Sequence, residues 1–137
     1  MANDPATSPS GEGQRILLVD DEVDILELLE MFLAGNGYQV ETFTSSSKAL
    51  ERLVSGPNSI DIVVTDMTMP DLSGLELAEK IGSLRPGLPV MLMTGHRKVL
   101  ESCGSLPPAI REVMIKPFEL PGMVRRIAQH LADRKDH

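Results

Sequence analysis

Ile60-Asp61-Ile62-Val63-Val64-Thr65-Asp66-Met67-Thr68-Met69-Pro70-Asp71-Leu72-Ser73-Gly74 is the stretch that decides the fold. A short β-branched run stops at a lone carboxylate, and the chain then turns through Pro70 and Gly74 into a helical pattern. An apolar run of this kind reads as a strand covered on both faces, as in a parallel sheet flanked by helices. Such a strand carries Asp66 to its carboxyl end, where an acid is aimed at something rather than packed away.

Working outward, Ile16-Leu17-Leu18-Val19 is a second continuous apolar run, and it too ends in acids, Asp20-Asp21-Glu22. Ile25, Leu28, Leu29, Phe32 and Leu33 then recur at helical spacing until Gly35 and Gly37, and the acids suit the positive end of that helix. Residues 38–43 alternate like a half-buried strand. Ser45 to Ser47 supply helix caps ahead of Ala49, Leu50, Leu53 and Val54, and Gly56-Pro57-Asn58 is a turn. The third helix is predicted from about Ser73 to Leu84, burying Leu77, Ala78, Ile81 and Leu84 before Arg85-Pro86-Gly87 ends it. Residues 89–94 form a fourth buried strand. The segment after Gly95-His96-Arg97-Lys98 is only weakly helical, and Gly104, Pro107 and Pro108 should leave it short or distorted. Arg111 and Glu112 mark the fifth strand, 110–115, as an edge strand, and Leu120, Met123, Val124, Ile127 and Leu131 mark a final amphipathic helix.

Five strands, each followed by a helix, predict an α/β fold with a five-stranded parallel sheet, right-handed crossovers and helices on both faces. About 120 residues in five such units fit a flavodoxin-like (βα)5 arrangement of strand order 2-1-3-4-5. Residues 1–14, rich in Pro, Ser, Gly and Asn, read as a disordered leader; 15–133 form the domain and 134–137 a tail.

The whole chain has 137 residues, 42% of them hydrophobic, enough for one core. Thirteen basic against twenty acidic residues give a net charge of −7, which disfavours binding to nucleic acid or to an anionic membrane. Cys103 is the single cysteine, so no internal disulfide can form, and it reads as a packed residue or a surface thiol. No apolar run approaches the roughly 18 residues of a membrane span, and the N-terminus has no export pattern. A cytoplasmic protein, monomeric or weakly dimeric, is expected.

In a sheet of this order the carboxyl ends of the strands meet at a switch point. Those ends carry Asp20 and Asp21, Asp66, Thr94 and Lys116. Converging carboxylates repel unless a cation is shared, and an all-oxygen set without clustered His or Cys suits Mg²⁺, or Mn²⁺, rather than zinc. Asp21 and Asp66 would ligate directly, Asp20 through water, and the backbone carbonyl of Thr68 would complete the protein's share. Asp66 could then attack phosphorus as a carboxylate nucleophile and become an aspartyl phosphate. Lys116 would offer a point charge and Thr94 a hydroxyl to the phosphoryl oxygens.

From Asp20-Asp21, from Asp66 to Pro70 with Gly74 following, from Thr94-Gly95 and from Lys116-Pro117-Phe118, the chain resembles the receiver domain of two-component response regulators over about residues 15 to 133. The resemblance implies Asp66 as phosphoacceptor, Asp20 and Asp21 as the acidic metal pocket, Thr94 as the switch hydroxyl, Lys116 as the phosphate-contacting lysine and a cis peptide before Pro117. It also implies a histidine kinase or histidine phosphotransfer protein as donor, an unknown downstream partner, and a signalling domain that promotes only its own phosphorylation and dephosphorylation. The chain departs from the pattern at Val113, where many receivers carry an aromatic ring. With the interrupted segment 97–108, that departure is similar to receivers attached to hybrid histidine kinases, and it implies a surface around that segment, the fifth strand and the final helix that signals differently or that passes phosphate on. His96 and Thr68 are placed to set the lifetime of a phosphorylated state, with an exposed loop histidine as the plainer reading of His96. Arg125-Arg126 and Arg134-Lys135 read as a solvated face. Other classes fit less well: a nucleotide-binding flavodoxin-like protein would need glycines where Asp20-Asp21-Glu22 stand, an aspartyl-phosphate phosphatase would need an acid at Thr68, and a DNA-binding regulator would need an output domain beyond His137. A degenerate receiver serving as a protein-interaction scaffold is the remaining alternative.

Overall fold

The computed structural model describes residues 11–96, 98 and 104–135. In chain order these form β1 (Arg15–Val19), α1 (Val23–Gly35), β2 (Gln39–Phe43), α2 (Ser46–Ser55), β3 (Ile62–Asp66), α3 (Gly74–Leu84), β4 (Val90–Thr94), β5 (Ile110–Ile115) and α4 (Leu120–Lys135). All neighbouring strands are parallel, in the order β2-β1-β3-β4-β5, as the alternation of apolar runs and helical stripes predicts. The weakly helical segment falls largely outside the described residues, as does Cys103; residues 104–108 are non-helical and pass through Gly104 at φ +74° into β5.

Strand alternation divides the core in two. Ile16, Leu18, Ile62, Val64, Met91 and Met93 face α1 and α4, meeting Leu29, Leu33, Met123 and Ile127. Leu17, Val19, Val63 and Val90 face α2 and α3, meeting Leu53, Leu77 and Ile81. β1, β3 and β4 are flanked by strands on either side and helices on either face, so their side chains are almost wholly removed from water. Each large aliphatic side chain so buried contributes about 1.5–3 kcal/mol.

Three helix-face expectations need correcting. Leu28 is 54% exposed while Leu26 is buried, because the stripe on α1 runs through Leu26, Leu29 and Leu33 with Ile25 and Phe32 beside it, which turns Leu28 outward. Val54 on α2 and Leu84 at the end of α3 are likewise exposed, beyond the reach of the sheet. β3 also begins two residues later than its apolar run and ends on Asp66 itself, although Ile60 remains buried.

The edges of the sheet are guarded by charge. The β4–β5 register slips between Val90 and Met91, leaving Arg111 as the extra residue, and its Nε donates to the Pro108 carbonyl at 3.2 Å. Glu112 turns instead toward α4, where its carboxylate lies 2.6 Å from His130 Nε2 and pairs with Arg126. At β2, Glu41 receives both Arg15 and Arg52, which hold its carboxyl below the usual range, the Arg52 hydrogen bond contributing most. Of the expected leader, residues 1–10 lie outside the described residues, while the Gly11 and Gly13 amides donate to the Asn36 and Gly37 carbonyls at 2.7 and 2.9 Å.

α3 starts hard against the end of β3. Ser73 caps it, accepting from the Glu76 amide while Glu76 accepts from the Ser73 amide, and Gly74 donates to the Met67 carbonyl at 2.8 Å. A Cβ on Gly74 would stand 2.6 Å from both the Asp66 carbonyl and Leu92 Cδ1. Gly74→Ala is therefore expected to destabilise the domain by about 1–3 kcal/mol in urea denaturation. Gly35→Ala is expected to be neutral or to stabilise by up to about 1 kcal/mol, because nothing lies within 4 Å of the added methyl, Gly35 closes the last turn of α1 without a positive φ, and alanine loses less backbone entropy there.

Candidate functional site

The last rungs of the parallel ladder assemble the site. Val19 is opposite Thr65, Asp66 is opposite Met93, and Met93 is opposite Met114. Just beyond the ladder, the Asp20 amide donates to the Phe43 carbonyl and that of Met67 to Met93, while that of Lys116, one residue past the Thr94–Ile115 pair, donates to Thr94. Alternation then places Asp20, Asp66 and Lys116 on the same face as Leu18, Val64 and Met93, as the polar end of an apolar layer. The Lys116–Pro117 peptide bond is cis.

The side chains converge accordingly. Lys116 Nζ lies 3.4 Å from Asp66 Oδ1 and 3.7 Å from Asp20 Oδ2. Asp20, Asp21 and Asp66 each contribute one carboxylate oxygen to a group whose members all lie within 4.8 Å of one another. Asp20 is fully buried and Asp66 nearly so, whereas Asp21 is exposed at the rim. Asp20 Oδ1 accepts from the Glu22 amide at 2.9 Å and so helps to start α1, but Oδ2 is buried with no hydrogen-bond partner.

Burial pushes the Asp66 carboxyl above its ordinary value; Lys116 pulls it back down, and the neighbouring Asp20 raises it again. Two carboxylates at this spacing repel by about 4 kcal/mol at the effective dielectric of a protein, and one lysine offsets only part of a three-acid cluster. A buried carboxylate oxygen that makes no hydrogen bond and meets only the distant charge of Lys116, beside two further carboxylates, belongs to the donor set of a hard, oxygen-seeking divalent cation. The residues present therefore fit Mg²⁺ or Mn²⁺, and their type excludes a zinc-like nitrogen or sulfur set at this position.

The other expected site residues are less tightly gathered. Thr94 is buried at the end of β4, and its hydroxyl accepts from the His96 amide at 3.0 Å. Its alternation parity is that of Leu92, opposite to Asp66 and Lys116, so its side chain leaves the sheet on the face toward α2 and α3. Thr68 and His96 are both exposed, in the turns that follow β3 and β4. Val113 is half-buried in β5 opposite Leu92.

Sequence reasoning passed over the anchoring of the turn after Asp66. Asp71 bonds to Ser45, Ser46 and Ser47 at the start of α2. The local signals were visible, a triplet of serines and an acid after Pro70, but their pairing spans 24 to 26 residues and follows only from the fold.

A family model described as "Response regulator receiver domain" matches residues 16–128. The response regulator receiver protein CpdR of Brucella abortus is 36% identical over 118 residues, covering 86% of this chain and 97% of that protein. A CheY-like response regulator receiver domain protein from Methanospirillum hungatei superposes with a TM-score of 0.83 at 28% identity, over 90% of this chain and 98% of the other. The response regulator TrrA of Thermotoga maritima, solved in complex with Mg²⁺ and BeF, superposes with a TM-score of 0.76 at 32% identity, over 85% and 98% of the two chains. Sequence and fold thus lead to one place by separate routes, and the chain belongs to the response regulator receiver domain family.

Proposed function

We propose that Asp66 is the phosphoacceptor of a phosphorelay, taking a phosphoryl group from the phosphohistidine of a histidine kinase or histidine phosphotransfer protein in the cytoplasm. The observation that carries this reading is the convergence of Asp20, Asp21 and Asp66 with Lys116 at the carboxyl ends of three strands, with one buried Asp20 oxygen making no hydrogen bond. As the P–O bond to the Asp66 carboxylate forms, the P–N bond to the donor imidazole breaks and the imidazole keeps the electron pair. Lys116 meets a phosphoryl oxygen with its charge, and the Thr94 hydroxyl, whose oxygen accepts from the His96 amide and whose proton that bond leaves free, donates to another. Asp21, Asp66 and the backbone carbonyl of Thr68 would hold Mg²⁺, or Mn²⁺, with Asp20 acting through water. The bound cation would neutralise charge on the carboxylates and on the transferring group.

Phosphorylation adds roughly −1.5 to −2 charge at neutral pH. That charge would bias the turn after Thr94, and with it the surface around β5 and α4, toward a downstream protein partner. With Val113 half-buried in place of an aromatic ring, the change is carried by the Thr94 turn and not by a ring moving inward. The domain acts as a switch that promotes its own phosphorylation and dephosphorylation.

Incubation with acetyl phosphate and Mg²⁺ is expected to add the mass of one phosphoryl group to the intact protein. Chelation of the metal or Asp66→Asn should abolish the adduct; an adduct that persists in Asp66→Asn refutes the assignment, and no adduct under any condition favours the scaffold alternative. Substitutions at Thr68 and His96 should leave Asp66 phosphorylatable while changing the half-life of the adduct by on the order of tenfold, read by the decay of the phosphorylated mass.

Asp66→Asn should also stabilise the metal-free protein at neutral pH, by on the order of 1 kcal/mol in chemical denaturation. The raised Asp66 carboxyl means that its ionised form is disfavoured by folding. The cost is present at pH above the folded value and vanishes as pH falls through the folded and then the unfolded value, because a protonated Asp66 costs no more than Asn. The advantage of the variant should therefore disappear in acid.

A further inference from the structure

The turn that leaves Asp66 takes its middle anchor from another element. Its start is tied to the sheet, the Met67 amide donating to the Met93 carbonyl, and its end closes back on that start, the Gly74 amide donating to the Met67 carbonyl, each at 2.8 Å. Between them, Asp71 reaches the start of α2 and both of its oxygens are engaged there. Oδ1 accepts from the Ser46 hydroxyl at 2.7 Å and the Ser46 amide at 3.3 Å; Oδ2 accepts from the Ser45 hydroxyl and the Ser47 amide, both at 2.8 Å. The Ser46 side chain is itself buried, and its oxygen also accepts from the Leu72 amide at 3.0 Å. An acid 25 residues away thus satisfies the orphan amides of a helix start and sits at the positive end of its dipole. The Ser46 hydroxyl first, and then the Ser47 amide, hold the Asp71 carboxyl far below the usual carboxylate range, although the residue is exposed.

Residues 68 to 70 have few anchors of their own. Thr68 and Pro70 are exposed, Pro70 has no amide to donate, and Met69 packs into the layer facing α2 and α3 through non-directional contacts. Directional hydrogen bonds fix peptide planes where apolar packing permits sliding. Displacement of a reacting group by about 1 Å is enough to cost a site much of its rate.

We infer that Asp71 is a positioning residue for the phosphoryl-transfer site: by clamping the turn after Asp66 onto the first turn of α2, it sets both the affinity for the divalent cation and the rate at which Asp66 is phosphorylated. The inference rests on the assignment of Asp66 as phosphoacceptor. It separates Asp71 from a purely stabilising cap, whose loss would lower stability and leave the site's affinity unchanged.

The test compares wild type with Asp71→Ala, Asp71→Asn and Arg52→Ala. Arg52 holds α2 to Glu41 at the opposite end of the helix, so its loss weakens the same helix without touching the turn. Mg²⁺ binding by titration calorimetry, phosphorylation by acetyl phosphate and the metal-free amide NMR shifts of Met67 to Met69 are the readouts. Asp71→Ala should weaken Mg²⁺ binding and slow phosphorylation by about tenfold, with shifted amides, as loss of a group that orients metal ligands does. Asp71→Asn, which keeps one acceptor oxygen, should recover part of both, and Arg52→Ala should lose stability alone. Should the alanine variant fail to fold, the asparagine variant carries the same comparison. Wild-type Mg²⁺ binding with unchanged affinity in Asp71→Ala and Asp71→Asn, or an equal loss in Arg52→Ala, overturns the inference alone; a wild type that binds no Mg²⁺ and takes no phosphoryl group overturns the Asp66 assignment along with it.

Discussion

The repulsion between Asp20 and Asp66 is the constraint on which the rest of the arrangement depends. Both carboxylates are withdrawn from water beside a single lysine, so one end of the sheet gathers more negative charge than Lys116 offsets. A site that holds charge in this way is primed to bind a cation and then a group whose oxygens also need neutralising. The fold tolerates the strain because it is confined to the ends of strands whose remaining side chains lie in two well-filled apolar layers.

That confinement follows from parallel pairing. In an antiparallel sheet adjacent chain ends point in opposite directions, and acids placed after different strands would be scattered to both edges. Here one direction and one register bring Asp20, Asp66 and Lys116 to the same level and the same face. The helix that follows β3 must then begin almost in contact with the Asp66 backbone, and only a residue without a side chain fits there, as the distances around Gly74 make plain. The placement of Asp66 and the packing of α3 are set by the same few atoms.

Much of this was legible before any coordinates. Apolar runs ending in acids identified β1 and β3 and their carboxyl ends, because buried parallel strands leave an unmistakable pattern in sequence. The faces of α1 and α3 were less legible: Leu28 and Leu84 fit a helical stripe by spacing, but a stripe wider than the sheet beneath it leaves its margins in water. Register was beyond reach, so nothing in the sequence could show that Thr94 has the opposite face parity to Asp66 and Lys116, or that Arg111 would be looped out to let Glu112 reach α4. The bond between Asp71 and Ser46 was hidden for the same reason, since sequence displays neighbours along the chain and this contact is between neighbours in space.

The Gly11 and Gly13 amides are fastened to Asn36 and Gly37, beyond the end of α1. α1 runs back from the site to the amino end of the sheet, so the polypeptide enters the described domain at the pole opposite Asp66. Seen from a donor approaching the acidic pocket, that entry point is on the far side of a full sheet length. A label or surface tether attached ahead of Gly11 therefore leaves the face that must meet another protein open, and the domain can be held from behind while its partners are tried in front.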